Sequence, residues 1–468
     1  MFNHRNALVS IDAQHYPLRN TTLNDTDDAL WNWAQNAQVG SRQQLHQPRS
    51  EAALQQLLRD TRGRVRVIGS RLSPGRMLNV DRDDVLVDIS ALSGILAHDS
   101  DSVTVAAGTT LNELYIHLTA LDRMLAASPG VIAVQKLAGA MATGTHGQGL
   151  HQSSLADEAL RIRMVLADGS IREFTRGEPD FPAAQVTLGA LGIVTAVTLR
   201  TQPFRIYTCH KNAVSADNLE QDLLRWNSEY ALSKAWWFVD DNLMHVWNAN
   251  EASAQETAGW QANNREVVKH ADQGDDSLNS TIDQTLEQMH RDTQIHGKGG
   301  KQFRTVTRFR DFTDVTGDIY QLFCRGIAVP QINVEIGVPL SRTPAVISKI
   351  KRWYAAERPH MHYPIILRCT GASEAWLSPA YGEPTCFFGF VVYYADDGSL
   401  SQDGLHFLTE VEKLLAEEGG RPHWGKYYDA GRYVWRDVYP HWDDFRTLRS
   451  ELDPQHRFSN DYLTALFD

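Results

Sequence analysis

The sequence has few of the features that mark several large classes of protein. Its four cysteines are far apart and form no CxxC pair, so neither a disulfide framework nor a thiolate zinc site is predicted. No stretch approaches the roughly 18 apolar residues of a membrane-spanning helix, and no apolar segment follows the basic residues near the N-terminus. We therefore expect a cytoplasmic protein with cysteines that are small buried hydrophobic residues.

Basic residues are also in the minority. The 45 Lys and Arg are outnumbered by 57 Asp and Glu, and the resulting formal net charge of −12 repels nucleic-acid phosphates and anionic lipids. We expect neither nucleic acid nor a membrane as a partner. With 468 residues, 42% of them hydrophobic and 22% charged, the chain is long enough for two or three globular domains.

Most short catalytic signatures are missing. The sequence contains no GxSxG nucleophile elbow and no HExxH zinc motif. The GQG run beginning at Gly147 lacks the third glycine of a dinucleotide fingerprint, and His296–Gln302 lacks the first glycine and the hydroxyl residue of a phosphate loop. His360 and His362 could share one face of a strand, but no third ligand is close in sequence, so we predict no metal site.

The hydrophobic pattern predicts an α+β protein. Asp27–Trp33 is expected to begin a helix, and Glu51–Arg59 has helical spacing with Ser50 as a possible N-cap. Asp168-Gly169 separates two alternating runs, which predicts a hairpin. Further strands are predicted at Arg64–Ile68, Asp84–Ile89, Ser102–Ala107, Gly192–Pro203, Gln331–Leu340, Tyr363–Thr370 and Cys386–Tyr394, and further helices at Thr110–Leu121, Ala345–Ala356 and Leu405–Glu418.

Loops rich in small residues carry the first functional signal. Gly69–Gly75 (GSRLSPG) directly follows a predicted strand, and such a turn can direct several backbone N–H groups at one anion. Ser128–Gly130 and the expected loop Leu137–Gly149 (LAGAMATGTHGQG) would let the backbone approach a flat ligand, because glycine and alanine have little side chain. Each loop taken alone is equally well explained as a tight turn.

Taken together, these segments resemble the PCMH-type FAD-binding domain of the vanillyl-alcohol oxidase superfamily. The C-terminal runs GGRPHWGK (Gly419–Lys426), VYP (Val438–Pro440) and LDPQHRFSNDYL (Leu452–Leu463) are similar to its sugar-1,4-lactone and alditol oxidase branch, which includes D-arabinono-1,4-lactone oxidase. The resemblance covers nearly the whole chain except about Cys209–Gln331.

The resemblance implies a two-domain fold. Residues 1–205 would form the FAD-binding domain. Residues 206–430 would form a substrate or cap domain, an antiparallel sheet covered by helices. Its polar stretch at about 250–302 is expected to be a long surface helix or a mobile insertion. Residues 431–468 would return to the FAD-binding domain.

The resemblance also implies the contacts of the FAD. The first loop would bind the pyrophosphate, the SPG and TGTHG regions would line the ring and ribityl chain, and Gly192–Val194 would meet the adenine end. The implied cofactor-binding residues are Gly69, Ser70, Arg71, Leu72, Ser73, Pro74, Ser128, Gly130, Gly139, Thr143, Gly144, Thr145, His146, Gly147 and Ile193.

Three positions depart from the pattern of the family. Leu72 stands where most relatives have a histidine bonded to the flavin, so FAD should be bound non-covalently. Ile366 replaces a glutamate two residues before Arg368, and Val131 replaces a substrate-contacting serine. Because neither side chain can pair with sugar hydroxyls, at a cost of about 1 to 3 kcal/mol for each stranded group, we predict a substrate less hydroxylated than an alditol.

The predicted reaction moves a hydride from a C–OH or C–NH carbon to flavin N5 while a base takes the heteroatom proton. Arg368 and Lys426 would favour an anionic or carbonyl-bearing small-molecule substrate, although Lys426 could simply pair with a surface acid. His423 and Glu335 are the candidate bases, although His423 could be a core histidine. Gly130 is an alanine in a dehydrogenase relative, so glycine there predicts an open path for O2 as electron acceptor.

Val131, Ile366 and Asn333 are predicted to line the substrate pocket. Two alternatives stay open. A sugar-lactone oxidase or dehydrogenase would rebuild its hydroxyl contacts from Asn333, Thr370 or Lys136. A flavin-binding protein without turnover would also be compatible with the altered substrate contacts.

Overall fold

Sheets of three, five and nine strands make up most of the β-structure. The computed structural model describes residues 28–127, 134–270, 294–296, 302–304, 313–323, 331–359, 361–393 and 402–468. Within these residues, the two smaller of these sheets consist of strands before Ile206, and the large one consists of strands between Ile206 and Pro422. The mixture of helices and sheets is the predicted α+β class.

Helices connect and cover these strands. The described α-helices are α1 (Glu51–Asp60), α2 (Leu111–Ala120), α3 (Leu137–Ala142), α4 (Phe181–Gln185), α5 (Leu219–Glu229), α6 (Ala254–Ala262), α7 (Ile319–Phe323), α8 (Thr343–Glu357), α9 (Gln402–Ala416), α10 (Trp435–Val438), α11 (Trp442–Leu452) and α12 (Asp461–Phe467). Among the described residues, no helix combines the length and apolar composition needed to cross a bilayer.

The first sheet has three parallel strands, β1 (Leu45–His46), β2 (Val65–Ile68) and β3 (Val85–Asp88), in the order β1-β3-β2. Helix α1 makes the crossover between β1 and β2, as parallel pairing requires. The side chain of Ser50 accepts a hydrogen bond from the backbone N–H of Ala53, which confirms the predicted cap.

The second sheet is antiparallel and contains β4 (Ile95–His98), β5 (Ser102–Ala106), β6 (Ala159–Val165), β7 (Ile171–Thr175) and β8 (Ile193–Arg200). Its strand order is β7-β6-β8-β5-β4. Asp168-Gly169 turns the chain between β6 and β7, and the φ of +80° at Gly169 is one that glycine adopts without strain. The predicted hairpin is therefore confirmed.

The third sheet contains β9 (Ile206–Ser215), β10 (Leu232–Phe238), β11 (Leu243–Glu251), β12 (Val268–Lys269), β13 (Val315–Asp318), β14 (Gln331–Pro339), β15 (Ile365–Thr370), β16 (Thr385–Tyr393) and β17 (Arg421–Pro422). The order is β12-β13-β9-β11-β10-β15-β16-β14-β17, and every neighbouring pair is antiparallel. Pairs of short strands lie outside these sheets, at Ala29–Trp31 with Gln38–Ser41, Arg123–Met124 with Gln202–Pro203, and Gln294–His296 with Gln302–Arg304.

The two faces of the large sheet differ in character. One face is apolar, carries Trp237, Val334 and Phe388, and shares a buried core with helices α5, α8 and α9. Because side chains alternate along a strand, Glu335 on β14 and Arg368 on β15 project from the other face. The large sheet is therefore an antiparallel sheet covered by helices on one side, as predicted.

The C-terminal helices return to the N-terminal sheets. The guanidinium of Arg457 donates to the backbone carbonyls of Leu58 and Ala167. The side-chain amide of Asn460 donates to the carbonyls of Met77 and Asn79, at 3.0 and 2.7 Å. These contacts join residues 290 to 399 positions apart.

Two segments differ from the sequence-based expectation. Ala29–Trp31 is a strand, not the start of a helix, because its pairing with Gln38–Ser41 outweighs a weak local helix signal. The segment Leu137–Ala142, expected as part of a glycine-rich loop, forms helix α3. Leucine, alanine and methionine are strong helix formers and outweigh the single Gly139.

The predictions for the cysteines, for His360 and His362, and for the polar stretch at 250–302 have different outcomes. Cys209, Cys369 and Cys386 are buried, as expected, while Cys324 lies outside the described residues. His362 is buried and its Nδ1 accepts the backbone N–H of Tyr393 at 3.1 Å; His360 lies outside the described residues. Most of the polar stretch at 250–302 also lies outside them, and its longest described helix is α6.

Candidate active site

A deep cleft lies where the large sheet meets the N-terminal sheets. It encloses about 1350 Å³, its open mouth included. The loop after β2, helix α3 and the start of β8 line one side, and Asn333, Glu335 and Arg368 line the other. The two sides come from different parts of the chain, so a ligand bound in the cleft would contact both.

The loop Gly69–Ser73 lines part of the cleft and offers backbone donors. Arg71 has a φ of +53°, and a residue in this left-handed region turns successive N–H groups toward a common point, as in an anion-binding nest. In the described part of the chain, the backbone N–H groups of Ser70, Leu72 and Ser73 have no hydrogen-bond acceptor. These groups are therefore available to the oxygens of a pyrophosphate.

Helix α3 presents bare backbone to the same cleft. Gly139 lines the cleft, and a Cβ placed on it would meet no atom within 4 Å. A flat ring can therefore lie directly against the backbone at this point. Apolar side chains of Ile68, Leu78 and Val194 also line the cleft. Together with the free donors of the Gly69–Ser73 loop, these features fit FAD.

Most residues of the predicted FAD site come together here. Those that line the cleft are Gly69, Ser70, Arg71, Leu72, Ser73, Gly139, Thr143, Thr145 and His146. Pro74, Gly144 and Gly147 are next to lining residues in the chain but do not line the cleft themselves. The side chain of Ile193 lies in the core, while its neighbours Gly192 and Val194 line the cleft. Ser128, Gly130 and Val131 lie outside the described residues.

A buried carboxylate, Glu335, is the centre of the polar end of the cleft. It forms an ion pair with Arg368. The Nζ of Lys426 lies 3.9 Å from Glu335 Oε2, and the Nε2 of His146 lies 3.4 Å from Glu335 Oε1. The ring of His423 lies 5.6 Å from the ring of His146. The structure therefore brings all four predicted catalytic residues together and adds His146 to them.

The strand register explains how Glu335 reaches Arg368. The two residues lie on β14 and β15, which are separated by β16. Gly389 on β16 is paired with Glu335 on one side and with Ile366 on the other. Because Gly389 has no side chain, the long side chains of Glu335 and Arg368 can meet above the middle strand.

Backbone hydrogen bonds hold the His146 loop against the end of β15. The N–H of Gly149 donates to the carbonyl of Cys369 at 2.7 Å, and the N–H of Gly371 donates to the carbonyl of Gln152 at 2.7 Å. Gly149 has a φ of +114°, and a Cβ there would lie 2.4 Å from the carbonyl oxygen of Ala231. Only glycine fits this turn, which places His146 beside Glu335.

The surrounding cations keep Glu335 ionised. Burial would raise the pKa of this carboxyl, but Arg368, His146 and Lys426 together hold the pKa well below its usual range. Burial and the charge of Arg368 lower the pKa of His146, while Glu335 acts in the opposite direction. Burial also lowers the pKa of His423 well below its usual value. At neutral pH the site holds a carboxylate and two neutral imidazoles.

Three residues of this site also have the donor atoms of a metal site. His146, Glu335 and His423 offer potential ligand atoms that all lie within 4.8 Å of one another. However, Arg368 and Lys426 already bring two positive charges to the one carboxylate, and a divalent cation would be repelled by both. The cluster is better suited to protons and to a polarised oxygen.

The residues predicted for the substrate pocket separate into two groups. Asn333 lines the cleft two residues before Glu335, and Lys136 lines it from the start of α3. Ile366 does not line it, although it is half-buried on the same sheet face as Arg368. Thr370 does not line it either, and its hydroxyl donates to the carbonyl of Gly371 at 3.2 Å.

Sequence reasoning missed some residues of the cleft. Arg66 lines it, is fully buried, and donates to the carbonyls of Leu188 and Gly189. Gln135 lines it and accepts the hydroxyl hydrogen of Thr145 at 3.2 Å. Nothing in the alternating run around Arg66 distinguishes it from a solvent-facing arginine of a strand. The position of His146 beside Glu335 was also missed, because its sequence context indicated only a cofactor loop.

Comparison with known protein families identifies the chain. Residues 197–466 match the family described as D-arabinono-1,4-lactone oxidase, and residues 43–175 match the family described as FAD binding domain. The chain belongs to the D-arabinono-1,4-lactone oxidase family. It is an FAD-dependent oxidoreductase that acts on a small molecule bearing a CH–OH group, and the FAD-binding domain match agrees with the position of the Gly69–Ser73 loop.

Individual curated proteins and solved structures resemble nearly the whole chain. The L-gulono-1,4-lactone dehydrogenase of Mycobacterium tuberculosis is 29% identical, over 92% of this chain and 98% of that protein. The alditol oxidase of a Streptomyces strain is 26% identical, over 94% of this chain and 99% of that protein. A variant of cholesterol oxidase from Brevibacterium sterolicum has a TM-score of 0.71 at 15% identity, over 97% and 100% of the two chains, which shows that the two chains share a fold.

Proposed function

We propose that the protein oxidises a hydroxyl-bearing carbon of an aldono-1,4-lactone or a close analogue. The observation that carries this proposal is the Glu335–Arg368–Lys426 group at the polar end of the FAD cleft. A lactone offers both a carbonyl oxygen, which suits the two cations, and hydroxyl hydrogens, which suit the carboxylate. The names of the relatives point to the same class of substrate.

The polar lining supports a hydroxylated substrate over an apolar one. The expectation of a less hydroxylated substrate depended on Ile366 and Val131. Ile366 does not line the cleft, and Val131 lies outside the described residues. Asn333, Glu335 and Lys136, which do line the cleft, can pair with several hydroxyl groups.

The residues of the site have different roles in such a reaction. FAD, when bound, supplies the hydride acceptor. Arg368 and Lys426 can hold the substrate carbonyl and stabilise negative charge that develops on its oxygen. Glu335 is held by these cations at a low pKa, so it is a poor proton acceptor and acts by orienting its neighbours. Arg368, its partner on β15, keeps its position because the strand register fixes it.

A panel of substrates tests this proposal. FAD-loaded protein is mixed without oxygen with L-gulono-, D-arabinono- and L-galactono-1,4-lactone, xylitol and lactate, and the loss of yellow colour is followed. We expect at least one lactone to bleach the protein fastest. If lactate alone bleaches it, the less hydroxylated class is correct. If only dithionite bleaches it, the protein binds flavin without turnover.

We also propose O2 as the electron acceptor and FAD as non-covalently bound. Support for O2 comes from Gly130, whose small size would leave the flavin edge open to oxygen. We expect Gly130→Ala to slow the return of the yellow colour in air while the anaerobic bleaching rate stays nearly constant. Stopped-flow traces of the two half-reactions measure both rates, with Gly259→Ala, on helix α6 outside the cleft, as the control. Equal reoxidation rates in wild type and Gly130→Ala would favour a quinone or a protein acceptor.

A further inference from the structure

The two histidines of the site differ in which ring nitrogen carries the hydrogen. The backbone N–H of Gly425 donates to Nδ1 of His423 at 3.0 Å. A nitrogen that accepts a hydrogen bond must present its lone pair, so Nδ1 of His423 is bare and the hydrogen of the neutral ring is on Nε2. His423 can therefore donate a hydrogen bond from Nε2 but cannot take a proton there.

His146 has the opposite arrangement. Its Nδ1 lies 3.0 Å from the backbone carbonyl oxygen of Gly147, which can only accept, so Nδ1 carries the hydrogen. The lone pair of the neutral ring is therefore on Nε2. This nitrogen is buried and faces Oε1 of Glu335 at 3.4 Å. Two acceptors that face each other in this way leave room for one proton.

The charges around His146 Nε2 favour a proton that arrives during the reaction. Glu335, from β14, is the anion that stabilises an imidazolium. Burial and the charge of Arg368, from β15, lower the pKa of His146, and Lys426, from the loop after β17, is a second cation beside Glu335. His423 is neutral and lies 5.6 Å away, ring to ring. Phe387 stacks on the His146 ring at 3.6 Å and fixes its plane.

From this geometry we propose that Nε2 of His146 accepts the hydroxyl proton of the substrate and that Nε2–H of His423 is a fixed hydrogen-bond donor to a substrate oxygen. This assignment deepens the proposed oxidation and depends on it. The substrate O–H bond breaks, an N–H bond forms at His146, and the O–H electron pair becomes part of the new C=O bond. The C–H electron pair leaves as the hydride that the family's FAD chemistry removes. His146 later returns the proton to water.

Three groups of the site are candidates for the general base, and the sequence alone does not rank them. Glu335 is ionised, but its carboxylate oxygens interact with the cations Arg368 and Lys426, which makes it a weak base. His423 presents a hydrogen where a base needs a lone pair. His146 combines a lone pair directed into the site with a nearby carboxylate that stabilises the product of proton uptake. Of these three, only His146 has both properties of a general base.

The ring nitrogens can be read directly by NMR. In FAD-loaded protein with ¹⁵N-labelled histidine rings and no substrate, a bare nitrogen resonates far downfield of a protonated one. We expect a bare Nε2 and a protonated Nδ1 in His146, and the reverse in His423. The variants His146→Gln and His423→Gln assign the signals. A protonated Nε2 in neutral His146 would overturn the proposal, whatever the enzyme's substrate is.

The kinetics give a second, independent test. Anaerobic bleaching by the best substrate is measured between pH 5 and 9. The wild-type rate should fall on the acid side as His146 becomes protonated. We expect His146→Gln to lower the rate about 10² to 10³-fold and to abolish this acid limb. His423→Gln, which keeps a donor, should lower the rate less and retain the limb. Loss of the limb in His423→Gln, but not in His146→Gln, would contradict the assignment.

The two tests distinguish a wrong proposed function from a wrong role of His146. If no lactone, alditol or hydroxy acid bleaches the wild-type protein, the proposed function is wrong, and the NMR result alone then judges the tautomers. If substrates bleach the wild type but His146→Gln reacts at the same rate with the same pH profile, the proposed oxidation stands and the role of His146 is wrong.

Discussion

Leu72 lines the cleft beside backbone donors suited to a pyrophosphate, and leucine has no atom that can bond to a flavin. We expect FAD to leave the protein when acid unfolds it. The absorbance of the supernatant after acid precipitation measures this release, and Leu72→His is the matched comparison. Yellow colour that stays with the precipitated wild-type protein would contradict non-covalent binding.

Glu335 makes the ion pair most deeply buried in the cleft, and removing its charge leaves Arg368 without a counter-ion. We expect Glu335→Gln to lower the free energy of unfolding by about 3 to 5 kcal/mol, because an unpaired buried charge is costly. Denaturant unfolding of the FAD-free protein measures the change. Glu335→Asp keeps the charge and should lose less. Equal stability of the three proteins would mean that water already screens this pair.

Helix α9 is tied to the loop before α10 by another buried carboxylate, Glu412. Its Oε1 accepts the backbone N–H of Asp429 at 2.9 Å, and its Oε2 lies 3.9 Å from Nε of Arg432. Burial raises the pKa of Glu412 from its ordinary 4.5 to about 7. The folded protein therefore binds this proton more tightly than the unfolded chain, and the stability that it contributes is lost as pH rises from about 4.5 to about 7.

We expect Glu412→Gln to remove this pH dependence. Relative to wild type, the variant should gain about 2 kcal/mol of unfolding free energy when the pH rises from 5 to 8, since each unit of pKa shift corresponds to about 1.4 kcal/mol. Urea unfolding at the two pH values measures the difference. Glu410→Gln, a change on the same helix at a less buried carboxylate, controls for the loss of charge. A constant gap between wild type and Glu412→Gln would show that Glu412 titrates normally.

The cleft joins parts of the chain that are distant in sequence, so FAD should stabilise the whole molecule. A ligand that binds only the folded state adds about 2.7 kcal/mol at a hundred times its dissociation constant. We expect the melting temperature to rise continuously as FAD is added to FAD-free protein. Differential scanning calorimetry checks this, with riboflavin, which lacks the pyrophosphate, as the control ligand. An equal rise with riboflavin would contradict a role for the Gly69–Ser73 loop.

Features that repeat along the chain were predictable from the order of the amino acids. Alternating runs such as that of β5 and the helical spacing of α1 bury one face, and this period is visible without any partner. The loop after β2 was also predictable, because glycine, serine and proline directly after a strand indicate a turn. Weak local signals failed where pairing outweighed them, as at Ala29–Trp31 and α3.

The chemistry of the site depended on contacts between distant residues. Glu335 and Arg368 are 33 positions apart, and they meet because β16 lies between their strands and carries Gly389 at the crossing point. His146 comes from the other side of the cleft, held there by backbone bonds to β15. Its tautomer depends on one carbonyl and that of His423 on one N–H. Sequence periodicity records which face a residue occupies, but neither the strand order nor the backbone atom that meets a ring nitrogen follows from it.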